Sequence, residues 1–247
     1  MQIVDRLRAD IASGALPPGA RLPSRPEMMK QFGVSDGTAA RVARTLISEG
    51  LAIAKDGSGT YVRERPELTR LVRTWYSQLQ AGSPFMNSML AQGRTGSWDY
   101  NSRTVQAPPE IRARLGLAAP GDDQPDVMCT DYLFKADGIP VMLSTSWEPL
   151  SMTRGTAIVV PEEGPHGGRG VVERLLAIGV RIDGFVETVG GRAGTAEECA
   201  RLRQSPGAMM LTIARSYPAG DRVVEVADIV LPADTFQLVY SGPVGES

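Results

Sequence analysis

The 247-residue sequence has one histidine and two cysteines. With His166 alone, a histidine-based catalytic triad or a multi-histidine metal site has nothing to build from. Cys129 and Cys199 stand far apart with no clustered histidines, which argues against a disulfide framework and a zinc site and leaves two buried free thiols as the expectation. No apolar run nears membrane-spanning length, and no charged-then-apolar leader follows Met1, so a soluble, cytoplasmic chain without membrane contact is expected. Internal repeats and low-complexity segments are also missing. No cofactor motif is found.

What is present is an uneven charge. Residues 1–65 carry ten basic and seven acidic side chains, net +3, whereas the remainder carries sixteen and twenty-one, net −5, in agreement with the overall −2. The basic end is where a polyanion would be held. The length suits one small and one medium domain, each with its own core.

The local signals at the N-terminus are dense. Ile3, Val4, Leu7 and Ile11 recur at helical spacing from Gln2 to about Ser13, and Gly14 stops the run. Leu16-Pro17-Pro18-Gly19 turns the chain. Ser24 and Glu27 form a capping box that starts a second helix at Arg25, with Pro26 tolerated in its first turn. Gly33 ends that helix, and Ser35 caps a third almost at once. There Ala39, Val42, Ala43, Leu46 and Ile47 make an apolar stripe, leaving Gly37, Arg41, Arg44, Thr45 and Ser48 on the other side; Gly50 ends it. Leu51 to Val62 then reads as two short strands around the glycine-bearing tip Lys55-Asp56-Gly57-Ser58-Gly59. Three helices, the last two joined by a tight turn, and a small hairpin make a winged helix-turn-helix, whose third helix enters the major groove of double-stranded DNA.

Beyond Arg63 the style changes. Leu68, Leu71, Val72, Trp75 and Leu79 suggest a connecting helix, giving domains at 1–65 and 93–247 with a linker at 66–92. In the second domain, Val127 to Phe134 and Ile139 to Trp147 flank an Asp137-Gly138 turn, and Met209 to Tyr217 and Val223 to Leu231 flank Pro218-Ala219-Gly220-Asp221. Between the hairpins lie a helix from Gly170 to Ile178, a strand around Phe185 to Val189 and a helix capped by Thr195 and Glu198. The fold class is α+β, a mainly antiparallel sheet with helices packed on it behind the winged helix-turn-helix.

With those residues named, Gln2 to Val62 resembles the GntR family of bacterial transcription regulators, through Leu16-Pro-Pro-Gly-Ala-Arg-Leu-Pro-Ser24, Phe32-Gly-Val-Ser35, Thr38, Leu46-Ile-Ser-Glu-Gly-Leu51 and Gly57-Ser-Gly-Thr-Tyr-Val62. The C-terminal region is similar to the UTRA sensor domain of the HutC-type branch through Gly138-Ile-Pro140, Gly191-Arg192, Glu197 and Val224-Glu225. The resemblance implies a chorismate-lyase-like sheet that binds a small-molecule effector, forms a homodimer and sets the spacing of two DNA-reading heads. Two departures stand out. Where the family places Glu-Arg after the capping Ser, and arginines at two early positions of the recognition helix, this chain has Arg25-Pro26, Asp36 and Ala40.

The DNA-binding candidates are Ser24, Arg25, Ser35, Thr38, Arg41, Arg44, Lys55, Gly57 and Gly59. Arg41 and Arg44, three apart, project from one face, where a guanidinium bonds guanine O6 and N7 or clamps phosphate; a solvated helix face is the alternative. Ser35 and Thr38 sit where helix N–H groups attract phosphate, as well as capping. Gly57 and Gly59 supply turn geometry or let the wing backbone approach DNA, with charge from Lys55. The effector candidates are Arg192 and Glu225, charges among apolar strand residues that need a partner, with pairing to each other or to neighbours as the alternative to a ligand, then Ser144, Ser146 and Trp147, for which a solvent-facing strand and a core position are the alternatives. UTRA sensors for phosphorylated sugars use arginines on the strand that here reads Met128-Cys-Thr-Asp-Tyr-Leu-Phe134, which has none, so a phosphosugar is disfavoured. Three functions fit: a repressor released by an effector, a DNA-binding dimer without effector, and a lyase-like enzyme fused to a DNA-binding head. With no paired acid/base signature, a non-enzymatic regulator is expected.

Overall fold

Capping chemistry at the N-terminus becomes three helices in the computed structural model, which describes residues 2–55, 57–63, 68–74, 82–120 and 123–241. Helix α1 spans Gln2–Ser13, α2 Arg25–Phe32 and α3 Asp36–Ser48. The Ser24 hydroxyl accepts the Glu27 N–H while the Glu27 carboxylate accepts the Ser24 N–H at 2.7 Å, so both ends of the capping box are closed. Gly33 ends α2 at φ 64°, a left-handed conformation that costs glycine least. Strands β1 (Ala52–Lys55) and β2 (Gly59–Val62) pair antiparallel in the register Ala52↔Val62. Leu7, Leu22, Met28, Ala39, Val42, Leu46, Ala52 and Val62 form one core, confirming the stripe along α3.

The second unit is a six-stranded antiparallel sheet in the order β4-β5-β6-β9-β8-β7. Its strands are β4 (Gly96–Val105), β5 (Val127–Ala136), β6 (Ile139–Pro149), β7 (Val186–Ala193), β8 (Met209–Ala219) and β9 (Arg222–Pro232). Both expected hairpins form. Asp137 at φ 52° and Gly138 at φ 77° give the first its two-residue turn. Against one face pack α5 (Pro109–Leu115), through Ile111 and Leu115 on Val127 and Val226, and α8 (Ala196–Arg201), through Cys199 on Leu143 and Met210. Both cysteines are buried free thiols. The opposite face carries an apolar half, including Phe85, Met89, Met142 and Ile229. Thr130, Ser144, Ser146, Glu148 and Glu225 are also buried. A buried sheet face with that many polar groups must have something to bond them.

The linker reading at 66–92 needs correction. The chain divides into units 1–67 and 68–247. Thr69–Val72 is a strand, β3, paired in parallel with β10 (Phe236–Val239), where the spacing of Leu68, Leu71 and Val72 suggests a connecting helix. Its burial alternates, Thr69 and Leu71 in, Arg70 and Val72 out, and the hydrogen bonds that fix it come from residues more than 160 positions away. Helical spacing of Leu68, Leu71 and Val72 could not reveal that partner. Trp75 and Leu79 lie outside the described residues. Helix α4 (Pro84–Leu90) buries Phe85 and Met89 in the second unit's core, so β3 and α4 are both part of that domain. Helix α6 (Leu150–Thr153) and α7 (Val171–Ala177) complete the unit. Among the described residues no helix is long and apolar enough to cross a membrane.

Candidate nucleic-acid interface and ligand pocket

In the first unit, burial of Ala39, Val42 and Leu46 fixes the rotation of α3 and turns Arg41 and Arg44 to solvent. Neither makes an ion pair or a side-chain hydrogen bond among the described residues. At the start of α3 the Ser35 hydroxyl accepts the Thr38 N–H at 3.3 Å and lies 3.0 Å from the Thr38 hydroxyl, so both candidates meet at one helix end. Arg25 lies 3.5 Å from Asp36. These are two of the departures from the family pattern, and they form a single exposed ion pair between the starts of α2 and α3.

The wing is braced by a residue that motif reading passed over. Arg21 forms an antiparallel bridge to Tyr61, and Leu22 N–H donates to Thr60 at 2.8 Å, so the segment before α2 lies beside β2. Gly59 sits at φ 120°, and a Cβ there would stand 3.0 Å from Arg21 Nε. The backbone angle favours glycine, and any side chain there would also have to push the Arg21 guanidinium aside. Lys55 Nζ lies 4.8 Å from the Tyr61 ring centroid, and the Tyr61 hydroxyl is 2.6 Å from Ser58 Oγ. Arg21, Ser24, Arg25, Lys55, Gly57 and Gly59 line one open cleft. A signal for Arg21 existed in its alternation with the buried Leu22 ahead of the capping box.

In the second unit a cavity of about 100 Å³ lies on the polar sheet face. Ser144, Ser146 and Glu225 line it. Trp147 and Arg192 do not. Trp147 points to the other sheet face and packs in the cluster of Ile111 and Val226, because successive strand residues alternate sides. Arg192 lies on the edge strand β7 and pairs with Glu198 at 2.6 Å, holding that carboxyl down at about 2. Glu225 therefore pairs elsewhere, with Arg215 Nη2 at 2.9 Å.

Four arginines line the cavity, and each holds a carboxylate: Arg73 with Glu187, Arg174 with Glu148, Arg215 with Glu225 and Arg169 with Glu173. A fifth carboxylate, Glu162, accepts from Trp98 Nε1 at 3.1 Å and from the Tyr132 hydroxyl at 2.9 Å. Burial pushes the Tyr132 phenol well up, and the Glu162 charge adds to it, so Tyr132 stays a donor. Glu225 is fully buried, and burial also drives its carboxyl up against the pull of the Arg215 guanidinium. Arg215 lies over the Tyr217 ring at 4.7 Å. Two atoms of this pair, Glu225 Oε2 and Arg215 Nε, have no hydrogen-bond partner. Sequence reading missed all four arginines. Arg174 sits among Val, Leu and Glu in a run that looks like an ordinary amphipathic helix, and Arg73 fell in the stretch read as linker.

Comparison with known proteins gives the same two parts. The profile for bacterial regulatory proteins, gntR family, matches residues 1–62, and that for the UTRA domain matches residues 91–237. An uncharacterized HTH-type transcriptional regulator of Streptomyces coelicolor is 29% identical over 254 residues, spanning 100% of this chain and 93% of that protein. The histidine utilization repressor of Klebsiella aerogenes is 25% identical over 232 residues, spanning 92% of this chain and 88% of that protein. Among solved structures, a putative GntR-family transcriptional regulator is 43% identical with a TM-score of 0.79, covering 99% of this chain and 97% of that one. PhnF from Mycobacterium smegmatis, at 20% identity and TM-score 0.57 over 99% of each chain, shares the fold.

Proposed function

Because the chain belongs to the GntR family of bacterial transcription regulators and carries a UTRA domain, we propose that it represses transcription by holding an operator with Arg41, Arg44 and the wing, and releases it when a small molecule fills the cavity beside Glu225. The observation that carries the sensing half is the fully buried Glu225, which keeps an unpaired oxygen at the wall of a cavity. A group of that kind loses its water without compensation unless a bound molecule supplies a partner. The reading half rests on two exposed arginines that no acid among the described residues neutralises, as a phosphate-binding or guanine-reading face requires. Ser24, Arg25, Ser35, Thr38, Lys55, Gly57 and Gly59 support them around the same helix ends and wing.

The working form is a homodimer on a twofold-symmetric operator, because one head of this size contacts few bases and a symmetric pair multiplies the discrimination. The chain acts in the cytoplasm, where its DNA is. Binding proceeds without turnover: the relatives are regulators, and the described lining of the cavity contains neither cysteine nor histidine.

Selection of bound fragments from random DNA supplies the operator. Effector candidates are then titrated with and without it. A molecule that lowers operator affinity must itself be weakened by operator to the same factor. A ligand bound in the cavity with equal affinity in both conditions, or an asymmetric site held by a monomer, overturns the proposal.

A further inference from the structure

The Arg215–Glu225 pair is only half made. Nε–H and Nη2 share one edge of a guanidinium, and that edge matches the two oxygens of a carboxylate with two parallel hydrogen bonds. Here Nη2 bonds Oε1 at 2.9 Å, while Nε and Oε2, the neighbours of the bonded atoms, are both buried and idle. The wall therefore offers one donor and one acceptor from the same ion pair, and none of the described residues satisfies either. Leaving both unmet is costly in a fully buried site, so the complement is a group with one acceptor and one donor on a common edge. An ordinary trans amide points its N–H and C=O in opposite directions and cannot serve. A cis amide locked in a ring presents them side by side.

Electrostatics narrows the class further. Every arginine of the wall is already neutralised by a carboxylate, and Glu162 adds a negative charge held by Trp98 and Tyr132. Among the described lining residues a phosphate or carboxylate ligand would meet no free cation and an excess of acid. The rest of the surroundings is flat and aromatic, with Tyr132 stacked on Phe134 at 5.4 Å and Phe85 tilted on it at 4.9 Å.

We propose that the cavity takes a small, flat, uncharged ring containing a cis amide, a lactam or cyclic ureide, whose N–H donates to Glu225 Oε2 and whose carbonyl accepts from Arg215 Nε. This assignment rests on reading the cavity as the effector site and names the chemistry of its ligand.

The test uses the full chain and defined probes in calorimetric titration: uracil, hydantoin and 2-pyrrolidone as cis amides, 1,3-dimethyluracil as the same ring without its N–H groups, and glutarate and glucose 6-phosphate as anions. Each is titrated into wild type, Glu225→Gln, which turns the idle acceptor into a donor, and Ser144→Phe, which fills the cavity. At least one cis amide is expected to bind, with affinity at least ~10-fold lower in Glu225→Gln and no binding in Ser144→Phe. Dimethyluracil is expected to bind at least ~10-fold more weakly than uracil, an arm that stands even if Glu225→Gln fails to fold. If no cis amide binds wild type at about 10 mM, the class is rejected and water bridges the idle pair. Anions that bind in a Ser144-dependent way, with cis amides failing, reject the class but keep the cavity as the effector site. Probe binding that Ser144→Phe leaves untouched removes the cavity itself from the account.

Discussion

The arginines of the two units are treated in opposite ways. On α3, Arg41 and Arg44 stand in solvent without an acid among the described residues, whereas Arg73, Arg174 and Arg215 are largely buried and each is tied to a glutamate. Hydration keeps an exposed guanidinium charged at little cost, so its counter-charge can be left for an incoming polyanion to supply. A buried one must carry its own anion through folding, or the charge would not be tolerated. The same residue type therefore signals a phosphate or guanine partner in one unit and a charge-balanced ligand wall in the other. Counting arginines without their partners would have assigned an anion to both.

The contrast breaks most visibly at Arg174–Glu148, where the side chains are 2% and 1% exposed. Glu148→Leu leaves a buried guanidinium alone and should cost about 3–5 kcal/mol of sensor-unit stability, with Arg174→Met added to it recovering most of the loss. Urea unfolding of the single and double variants measures both. An unchanged midpoint in Glu148→Leu would show that water reaches this pair.

On the head, one of Arg41→Ala and Arg44→Ala should lower specific operator affinity by about 1–3 kcal/mol and relax the preference at one base pair. Neither should change the unfolding midpoint noticeably, since no protein partner is lost. Band-shift titration against single-base operator variants separates a base reader from a phosphate clamp. Two arginines with wild-type affinity and base preference would mean that another face meets DNA.

The smallest effect sharpens the comparison at an intermediate site. Glu198 is held at about 2 by the Arg192 guanidinium, with burial opposing and the Thr195 N–H assisting. Because the folded value lies below the ordinary one, this group stabilises the fold fully above about pH 4.5 and loses that contribution as pH falls through about 2. Arg192 is 45% exposed, so screening limits the gain to about 1 kcal/mol. Glu198→Gln should therefore be less stable than wild type at neutral pH and equal to it near pH 2, read from denaturant midpoints across that range.

How far this arrangement was legible in the sequence depended on how local its cause was. Ser24 with Glu27, Ser35 with Thr38 and Asp137-Gly138 act within four residues, and the elements they start or turn formed as read. Strand β3 did not, because its partner Phe236–Val239 lies at the other end of the domain. Ser144 and Ser146 fall on one side of strand β6, but nothing within β6 tells which side a neighbouring loop and helix will cover. Arg192 and Glu225 stand out as charges among apolar residues, which leaves open whether each pairs with the other or with a neighbour. The hairpin register instead sets Tyr217 opposite Glu225 and Arg215 two residues along, a neighbour that the Gly220-Asp221 turn would have revealed. Arg174 and Glu148 meet across 26 positions from a helix and a strand end, and no periodicity announces such a contact.

The central claim, that the exposed α3 arginines meet DNA and the buried, glutamate-paired arginines of the sensor unit do not, is tested most directly by the salt dependence of operator binding. The slope of log affinity against log salt is measured in wild type, Arg41→Ala, Arg44→Ala and Arg73→Met. The account predicts a slope shallower by about 1 for whichever α3 arginine clamps phosphate, and a wild-type slope for Arg73→Met. A slope that both α3 variants leave unchanged, or one that Arg73→Met reduces, would contradict it.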